Sequence, residues 1–192
     1  MFDFSVALFA IAFLSPLLIA IALIVRFGGA GPIVYCQQRI GRGFNPFWIY
    51  KFRTMLPGSD AHGNTCTVHG DVRITNVGRF LRGTKLDELP QLFNVLKGDM
   101  SIVGPRPEVL RYVGMFSEDY RTILSVRPGI TDFAAIEFRN EERILADYDD
   151  PEKAYRENIL PAKIALYKKY ISEQSLKTDL KIVFKTFLAL FR

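Results

Sequence analysis

Cysteine, histidine and tryptophan are scarce in this chain of 192 residues, which holds two Cys, two His and one Trp. Two cysteines, Cys36 and Cys66, cannot staple a chain of this length, so a disulfide scaffold is excluded and both are read as reduced and structural. His62, Cys66 and His69 share one loop, yet no fourth ligand stands at a recognisable spacing, so a metal reading of that loop has little support. Gly-rich stretches such as Gly41-Arg42-Gly43 lack the spacing of a P-loop or a dinucleotide fingerprint. There is no internal repeat and no low-complexity tract. The longest absence is of charge: none occurs from Phe4 to Val25.

Hydrophobic residues make up 49% of the chain and mean hydropathy is +0.11, values that exclude disorder. Sixteen Phe and eight Tyr supply ample core material. Lys and Arg number 25 against 20 Asp and Glu, for a net charge of +5 and a pI near 9.2. Such a balance suits an anionic partner: nucleic acid, a phosphate ester or a membrane surface. The basic residues are interspersed among acids, which argues against nucleic acid, whose mark would be a steeply salt-dependent affinity for duplex.

The uncharged run FSVALFAIAFLSPLLIAIALIV is long enough as a helix to match a hydrocarbon layer of roughly 30 Å. It opens Met1-Phe2-Asp3 rather than with positive charge, and no small-residue cleavage pattern follows, so it is expected to be retained. Ser15-Pro16 stands at its centre, where proline removes a backbone hydrogen bond and bends a helix. The carbonyl freed by Pro16 needs another donor, and the Ser15 hydroxyl is a candidate. A kinked transmembrane helix and a re-entrant hairpin both satisfy these residues. Arg26, Arg39 and Arg42 follow closely, which places the globular part on the cytoplasmic side. Near the C-terminus, Leu176, Leu180, Val183, Phe184, Phe187, Leu188 and Phe191 recur at helical spacing, beside Lys177, Lys181 and Lys185. A Phe/Leu face with a lysine edge suits a headgroup boundary, and a helix packed on the domain's own core is the alternative.

Between these ends the chain reads as one α/β domain, helix-rich with a few short strands. Gly28 to Pro32 form a hinge, Ile33-Val34-Tyr35 and Phe47 to Phe52 read as strands around the turn at Gly41-Arg42-Gly43, and residues 57–71 form a loop. Helical pattern starts at Asn76 and again near Leu86 to Leu96, a strand is expected at Met100 to Val103, and helix returns from Glu108 to Leu124. Residues 130–138 alternate loosely like a strand after the Arg127-Pro128-Gly129 turn. Asp150-Pro151-Glu152 is a helix start, and Pro161 interrupts that helix or begins another.

Chemistry concentrates in Arg79 to Gln91. Leu86, Leu89, Phe93 and Leu96 form an apolar stripe, which leaves Asp87, Gln91 and Asn94 together on a polar face with Glu88 adjacent. Pro90 is best tolerated in a first turn, so a helix should begin near Asp87, with Thr84-x-x-Asp87 as a capping box. A cap is worth on the order of 1 kcal/mol, reason enough for one acid. It does not account for Arg79, Arg82 and Lys85 around the pair. A carboxylate flanked by cations keeps a lowered pKa and stays ionised, fit to be a nucleophile or a magnesium ligand. In Gly104-Pro105-Arg106-Pro107, two prolines hold the backbone on either side of one arginine, which suits bidentate phosphate recognition or a plain rigid corner. Lys51, Arg53, Arg73 and Arg127 are further cations for an anion site.

The stretch Asp71 to Glu108 (DVRITNVGRFLRGTKLDELPQLFNVLKGDMSIVGPRPE) resembles the signature of the bacterial sugar transferases, the monotopic phosphoglycosyl transferases that start glycan assembly on a polyprenol carrier. Phe2-Asp3, Ser15-Pro16, Gln38-Arg39-x-Gly41, Tyr50-Lys51-Phe52-Arg53-Thr54-Met55 and Arg127-Pro128-Gly129-Ile130-Thr131 match in the family's order, so the resemblance covers almost the whole chain.

The resemblance implies a re-entrant helix-break-helix over residues 1–27, broken at Ser15-Pro16, and a catalytic domain over residues 28–192 on the cytoplasmic face of the bacterial inner membrane. An amphipathic surface helix is expected over about residues 175–192. The implied substrates are a UDP-sugar and polyprenyl (undecaprenyl) phosphate. Asp87 becomes the nucleophile on the sugar-linked phosphate, UMP leaves, and the phosphosugar passes from Asp87 to the lipid. Magnesium is implied as cofactor, with Asp87 and Glu88 as ligands or Glu88 as base. Arg82 and Arg106 match phosphate- or nucleotide-binding positions, with Pro105, Lys51, Arg53 and Asp99 in the same substrate-binding motifs. Membrane lipids and downstream glycosyltransferases are implied partners, and a homodimer is compatible. Many relatives carry basic residues ahead of the apolar run where this chain has two residues before Asp3, which leads to the expectation of a minimal catalytic domain. After Thr131, Asp132 to Asn140 departs from a Gly-aromatic-Ala-Gln run, and Asp132 and Glu137 are expected to add negative charge toward the sugar. A phosphohydrolase using the same acids and a non-catalytic membrane scaffold are the alternatives.

Overall fold

The computed structural model describes residues 2–59 and 67–190. The apolar run forms α1 (Phe2–Phe27), with Pro16 inside it. An N–H at position 16 would have bonded the carbonyl of Ala12, and the Ser15 hydroxyl donates to that carbonyl instead, at 2.9 Å. The helix therefore runs unbroken where a break was expected, because the hydrogen bond lost to proline is replaced locally.

Along its whole length α1 lies on the rest of the fold. Asp3 accepts hydrogen bonds from the Ser101 hydroxyl at 2.9 Å and the Ile102 N–H at 3.3 Å. Ala7, Ala10, Ile11 and Leu14 pack with Ile49, Leu92 and Met100, while Ile21 and Val25 pack with Phe52 and Leu81. The opposite face shows Phe4, Phe9, Phe13, Ile19 and Leu23 at the surface.

β1 (Val34–Ile40) and β2 (Pro46–Phe52) make an antiparallel hairpin, from Val34 against Phe52 to Ile40 against Pro46. At its turn, Gly43 takes a φ of 67°, a left-handed value open to glycine. α2 (Asn76–Thr84) is capped by the Thr75 hydroxyl, which accepts the Gly78 N–H at 2.9 Å. α2 ends at Lys85 in the left-handed conformation, Leu86–Glu88 form a single 3-10 turn, and α3 (Gln91–Lys97) follows. The expected capping box does not form. Thr84 closes α2 instead, its hydroxyl donating to the Phe80 and Leu81 carbonyls.

The polar face of α3 is its buried one. Asn94 accepts the Tyr50 N–H at 3.1 Å and donates to the Trp48 carbonyl at 2.7 Å, so it is buried as a splint on β2. Leu86, Leu89 and Leu96 are only half-buried, against α1, and Phe93 is exposed. The expected stripe is thus only partly covered, by α1, and Leu92 and Val95 join Gln91 and Asn94 on the buried face of α3.

β3 (Ser101–Val103) pairs in parallel with β4 (Gly129–Thr131). A Cβ on Gly129 would sit 2.1 Å from the Gly104 nitrogen, so the two backbones touch where only glycine fits. The single helix expected over 108–124 divides at Phe116 into α4 (Leu110–Met115) and α5 (Ser117–Ile123). The expected strand over 130–138 stops at Thr131. Asp132 caps α6 (Phe133–Glu137) by accepting the Ala135 N–H at 2.6 Å, and that cap turns the chain into helix.

α7 (Glu141–Ala146) precedes α8 (Pro151–Ala154), where Asp150 caps the helix as its sequence indicates. A π turn over Tyr155–Ile159 joins α8 to α9 (Leu160–Ser172), with Pro161 in its first turn. α10 (Leu176–Leu190) closes the chain, fastened by Ile182 in an apolar cluster with Val103 and Tyr170, and by Asp179, which accepts the Tyr170 hydroxyl at 2.8 Å. Leu180, Val183, Phe184 and Leu188 stay exposed. α10 therefore docks by a narrow face and presents a wide apolar one.

Candidate active site

A cleft of about 1620 Å³ gathers Lys51, Arg82, Asp87, Glu88 and Arg106 from β2, α2, the 3-10 turn and the loop after β3. The left-handed Lys85 ends α2 and turns the next three residues inward, which brings the acidic pair beneath β2. Arg106 grips Glu88 with both terminal nitrogens, Nη1 reaching Oε2 at 2.9 Å. Lys51 donates to Oε1 of the same carboxylate at 2.9 Å. Glu88 is a clamp between two cations.

Asp87 differs. It is 5% exposed, and its Oδ1 has no hydrogen-bond partner among the described residues. Burial pushes its carboxyl up, and the Glu88 charge adds to that push, beyond what Lys51, Arg82 and Lys85 pull down. Burial also raises Glu88, but there the Arg106 and Lys51 charges outweigh it and hold that carboxyl well below the usual range. The expectation that surrounding cations lower the pKa of Asp87 is thus corrected: they pull it down, but burial outweighs them. Lys51, beneath the surface, is itself pushed down by burial despite its partner.

Arg82 reaches the cleft already paired. Its Nε donates to Glu142 of α7 at 2.9 Å, Nη2 bonds the same oxygen, and Nη1 lies 3.4 Å from the Thr54 hydroxyl. Three further expected substrate contacts are engaged in holding the fold, although Arg53 also lines the cleft. Arg53 spends its guanidinium on the end of α1, donating to the carbonyls of Val25, Gly29 and Ala30 at 2.7–2.8 Å, because that helix end leaves carbonyls unbonded. Pro105 is buried and its carbonyl accepts the Gly129 N–H at 3.0 Å, so it holds β4. Asp99 sits past the far end of α3, 3.5 Å from the Asn94 amide; among the described residues, neither it nor Pro105 lines the cleft. Asp132 does not face a substrate either, since it is 1% exposed and accepts the Arg106 N–H at 2.9 Å.

Two contributors escaped the sequence reading. Glu142 lies 60 positions from Arg82, and no local pattern marks the pair. Arg39 joins Glu108 at 3.3 Å while the Tyr155 hydroxyl donates to Glu108 at 2.6 Å, a buried brace behind the Pro-Arg-Pro loop. As for a metal, no group of three His, Cys, Asp or Glu side chains among the described residues could hold one, and of the loop expected to carry His62, Cys66 and His69 only His69 is among them. The unpartnered Asp87 Oδ1 does fit a cation that takes one carboxylate and fills its other positions with phosphate oxygens and water, the habit of magnesium. Glu88, engaged on both oxygens, fits that role less well.

The sequence pattern of the family described as bacterial sugar transferase matches residues 1–192. The chain belongs to that family. Among its relatives, the UDP-N-acetylgalactosamine-undecaprenyl-phosphate N-acetylgalactosaminephosphotransferase of Aeromonas hydrophila is 41% identical over 189 residues, 96% of this chain and 41% of that protein. The UDP-glucose:undecaprenyl-phosphate glucose-1-phosphate transferase of Escherichia coli strain K12 is 38% identical over 96% of this chain and 38% of its own length. The exopolysaccharide production protein PSS of Rhizobium leguminosarum bv. phaseoli is 36% identical over 96% of this chain and 90% of its own length. The bacterial sugar transferase described here thus spans about two fifths of the first two relatives.

Proposed function

We propose that this bacterial sugar transferase moves a phosphosugar from a UDP-sugar to undecaprenyl phosphate, releasing UMP and starting glycan synthesis at a membrane. The relatives' names supply the substrate classes. The observation that carries the chemistry is the inequality of the two acids: Glu88 is locked between Arg106 and Lys51, whereas Asp87, which also lines the cleft, keeps a buried oxygen that no neighbour bonds.

In the first step an Asp87 oxygen attacks the sugar-bearing phosphorus. The bond from that phosphorus to the bridging oxygen breaks, UMP leaves with the oxygen, and the phosphosugar stays as an acyl phosphate on Asp87. In the second step a phosphate oxygen of the acceptor attacks the same phosphorus and Asp87 departs as a carboxylate. Arg106, held by Glu88, and Arg82, held by Glu142, supply positive charge to the cleft for the diphosphate. Asp87 is the residue that would hold magnesium, which would supply charge neutralisation at the diphosphate.

The surroundings support a membrane-face enzyme. Both ends of α1 are tied to the one domain, Asp3 to Ser101 and the Val25 carbonyl to Arg53, so the helix dips into a leaflet rather than crossing the bilayer. Its free face and that of α10 supply the apolar surface for that immersion. The test is a UMP-release assay in detergent with a panel of UDP-sugars and magnesium, with and without undecaprenyl phosphate. UMP together with a phosphosugar adduct on Asp87 in the absence of lipid supports the reading. Steady sugar-phosphate release without lipid and without adduct would sink it in favour of a hydrolase.

A further inference from the structure

The cleft does not end at the charged residues. Its wall continues along Ala10 and Leu14 of α1, Ile130 of β4, Ile136 of α6, and Thr186 and Ala189 of α10. α1 and α10 both pack on β3, and this part of the wall lies between them. Ile130 packs on the α1 side, with Ala10, Ile11 and Leu14. On the α10 side, the Thr186 hydroxyl donates to the Ile182 carbonyl at 2.9 Å and receives the Thr131 hydroxyl at 2.6 Å. Both hydroxyls are satisfied, so neither threonine leaves an unmet polar atom in the wall. Ala10 and Ala189 leave open a space that larger side chains would close.

The two helices that flank this wall are also those with exposed apolar faces, Phe9 and Phe13 on α1 and Phe184 and Leu188 on α10. An apolar path thus leads from the lipid-facing surface to the charged end of the cleft. The link is covalent as well as spatial: Thr131 lies in the wall, and the next residue, Asp132, holds the N–H of Arg106, whose guanidinium grips Glu88 beside Asp87.

We propose that the α1–α10 groove binds the isoprenoid tail of the lipid phosphate acceptor and delivers its phosphate to Asp87. The inference rests on the transfer reaction above and adds the place where the tail lies. An acceptor with one charged end and a long apolar chain needs both environments at once. The groove provides them without a polar group that the chain would leave unbonded. Phospholipid acyl chains share the apolar chemistry but lack a phosphate at the chain's end that could reach Asp87.

A diazirine placed in the tail of a polyprenyl phosphate tests this on the intact wild-type chain in nanodiscs. Adducts are expected at the groove residues Ala10, Leu14, Thr186 and Ala189, suppressed by unlabelled undecaprenyl phosphate and not by added phosphatidylglycerol. Adducts on the outer face at Phe9 and Phe13, or adducts that phosphatidylglycerol suppresses equally, would overturn the groove. Ala10→Phe and Ala189→Phe give a second reading. Each should raise the KM for undecaprenyl phosphate about tenfold and that for farnesyl phosphate by less, whereas equal changes for both acceptors would count against a tail site. UMP release by the wild type is scored separately. Mapped adducts without UMP would uphold the groove and sink the transfer reaction, while UMP with adducts elsewhere would do the reverse.

Discussion

Asp132 Oδ2 accepts the backbone N–H of Arg106 at 2.9 Å while its Oδ1 caps α6 through Ala135 at 2.6 Å. One buried carboxylate therefore sets both the helix after β4 and the loop that aims a guanidinium at Glu88. Expected from the sequence to add negative charge toward the sugar, Asp132 acts in the fold on position instead.

Burial lifts Asp132 to a pKa of about 6, against the pull of the Ala135 and Arg106 N–H groups and the charges of Arg106 and Lys163. A raised acid means the folded protein keeps a proton that the unfolded chain has already released. Stability from this group is full below the ordinary aspartate value, falls as pH rises from about 4 to about 6, and is level above, a change of about 3 kcal/mol. Asp132→Asn should flatten that slope in detergent-solubilised protein unfolded by denaturant from pH 4 to 7. Because Asn accepts only one of the two N–H groups, the same variant should raise the donor KM more than it lowers kcat. An unchanged slope would mean that Asp132 titrates as it would in water.

Asp87→Asn should abolish UMP release and yet raise the thermal midpoint at neutral pH. A buried carboxylate oxygen without a partner is a cost to the fold, and removing its charge relieves it. A lower midpoint would show that the Asp87 charge is compensated in the folded state.

Glu88→Gln has the opposite expectation. It strips the counter-charge from Arg106 and Lys51 together, and losing one side of a buried pair costs about 3–5 kcal/mol. Chemical denaturation of Glu88→Gln, Arg106→Gln and the double variant forms a cycle. The double variant should be less destabilised than the two single changes summed.

Glu142 holds the guanidinium that a donor phosphate would need. Glu142→Gln should lower the donor KM by about two- to fivefold, the worth of a half-exposed ion pair, with little effect on kcat. A higher KM would make Glu142 a support for Arg82 rather than its competitor.

The ties of Asp3 to β3 and of Arg53 to the end of α1 predict the topology of the helix. Phe2→Cys and Ala30→Cys should react from the same side of sealed vesicles with a membrane-impermeant maleimide. Labelling from opposite sides would restore a spanning helix.

Much of this protein is legible in its sequence because it rests on short-range physics. The uncharged run, the hairpin strands, the Asp150 cap and the left-hand turn at Gly43 depend on residues within a few positions of one another. So does the acidic pair, since Asp87 and Glu88 are neighbours and Lys85 sits two and three positions away. The sequence also marks Ser15 as the donor for the carbonyl that Pro16 frees, a bond confined to one helical turn.

What the tertiary structure alone decided is how charge and burial are shared. Arg82 and Arg53 look alike in the sequence, yet one meets Glu142 in the cleft and the other closes the end of α1. Asp87 and Glu88 look equivalent, but Arg106 and Lys51, 18 and 37 positions from Glu88, make their hydrogen bonds and ion pairs to Glu88. Electrostatic pairing acts through space at a few ångströms, and burial is set by every element that packs over a site. Neither is a property of nearest neighbours along the chain, so the unequal pKa values of two adjacent acids exist only in the folded protein.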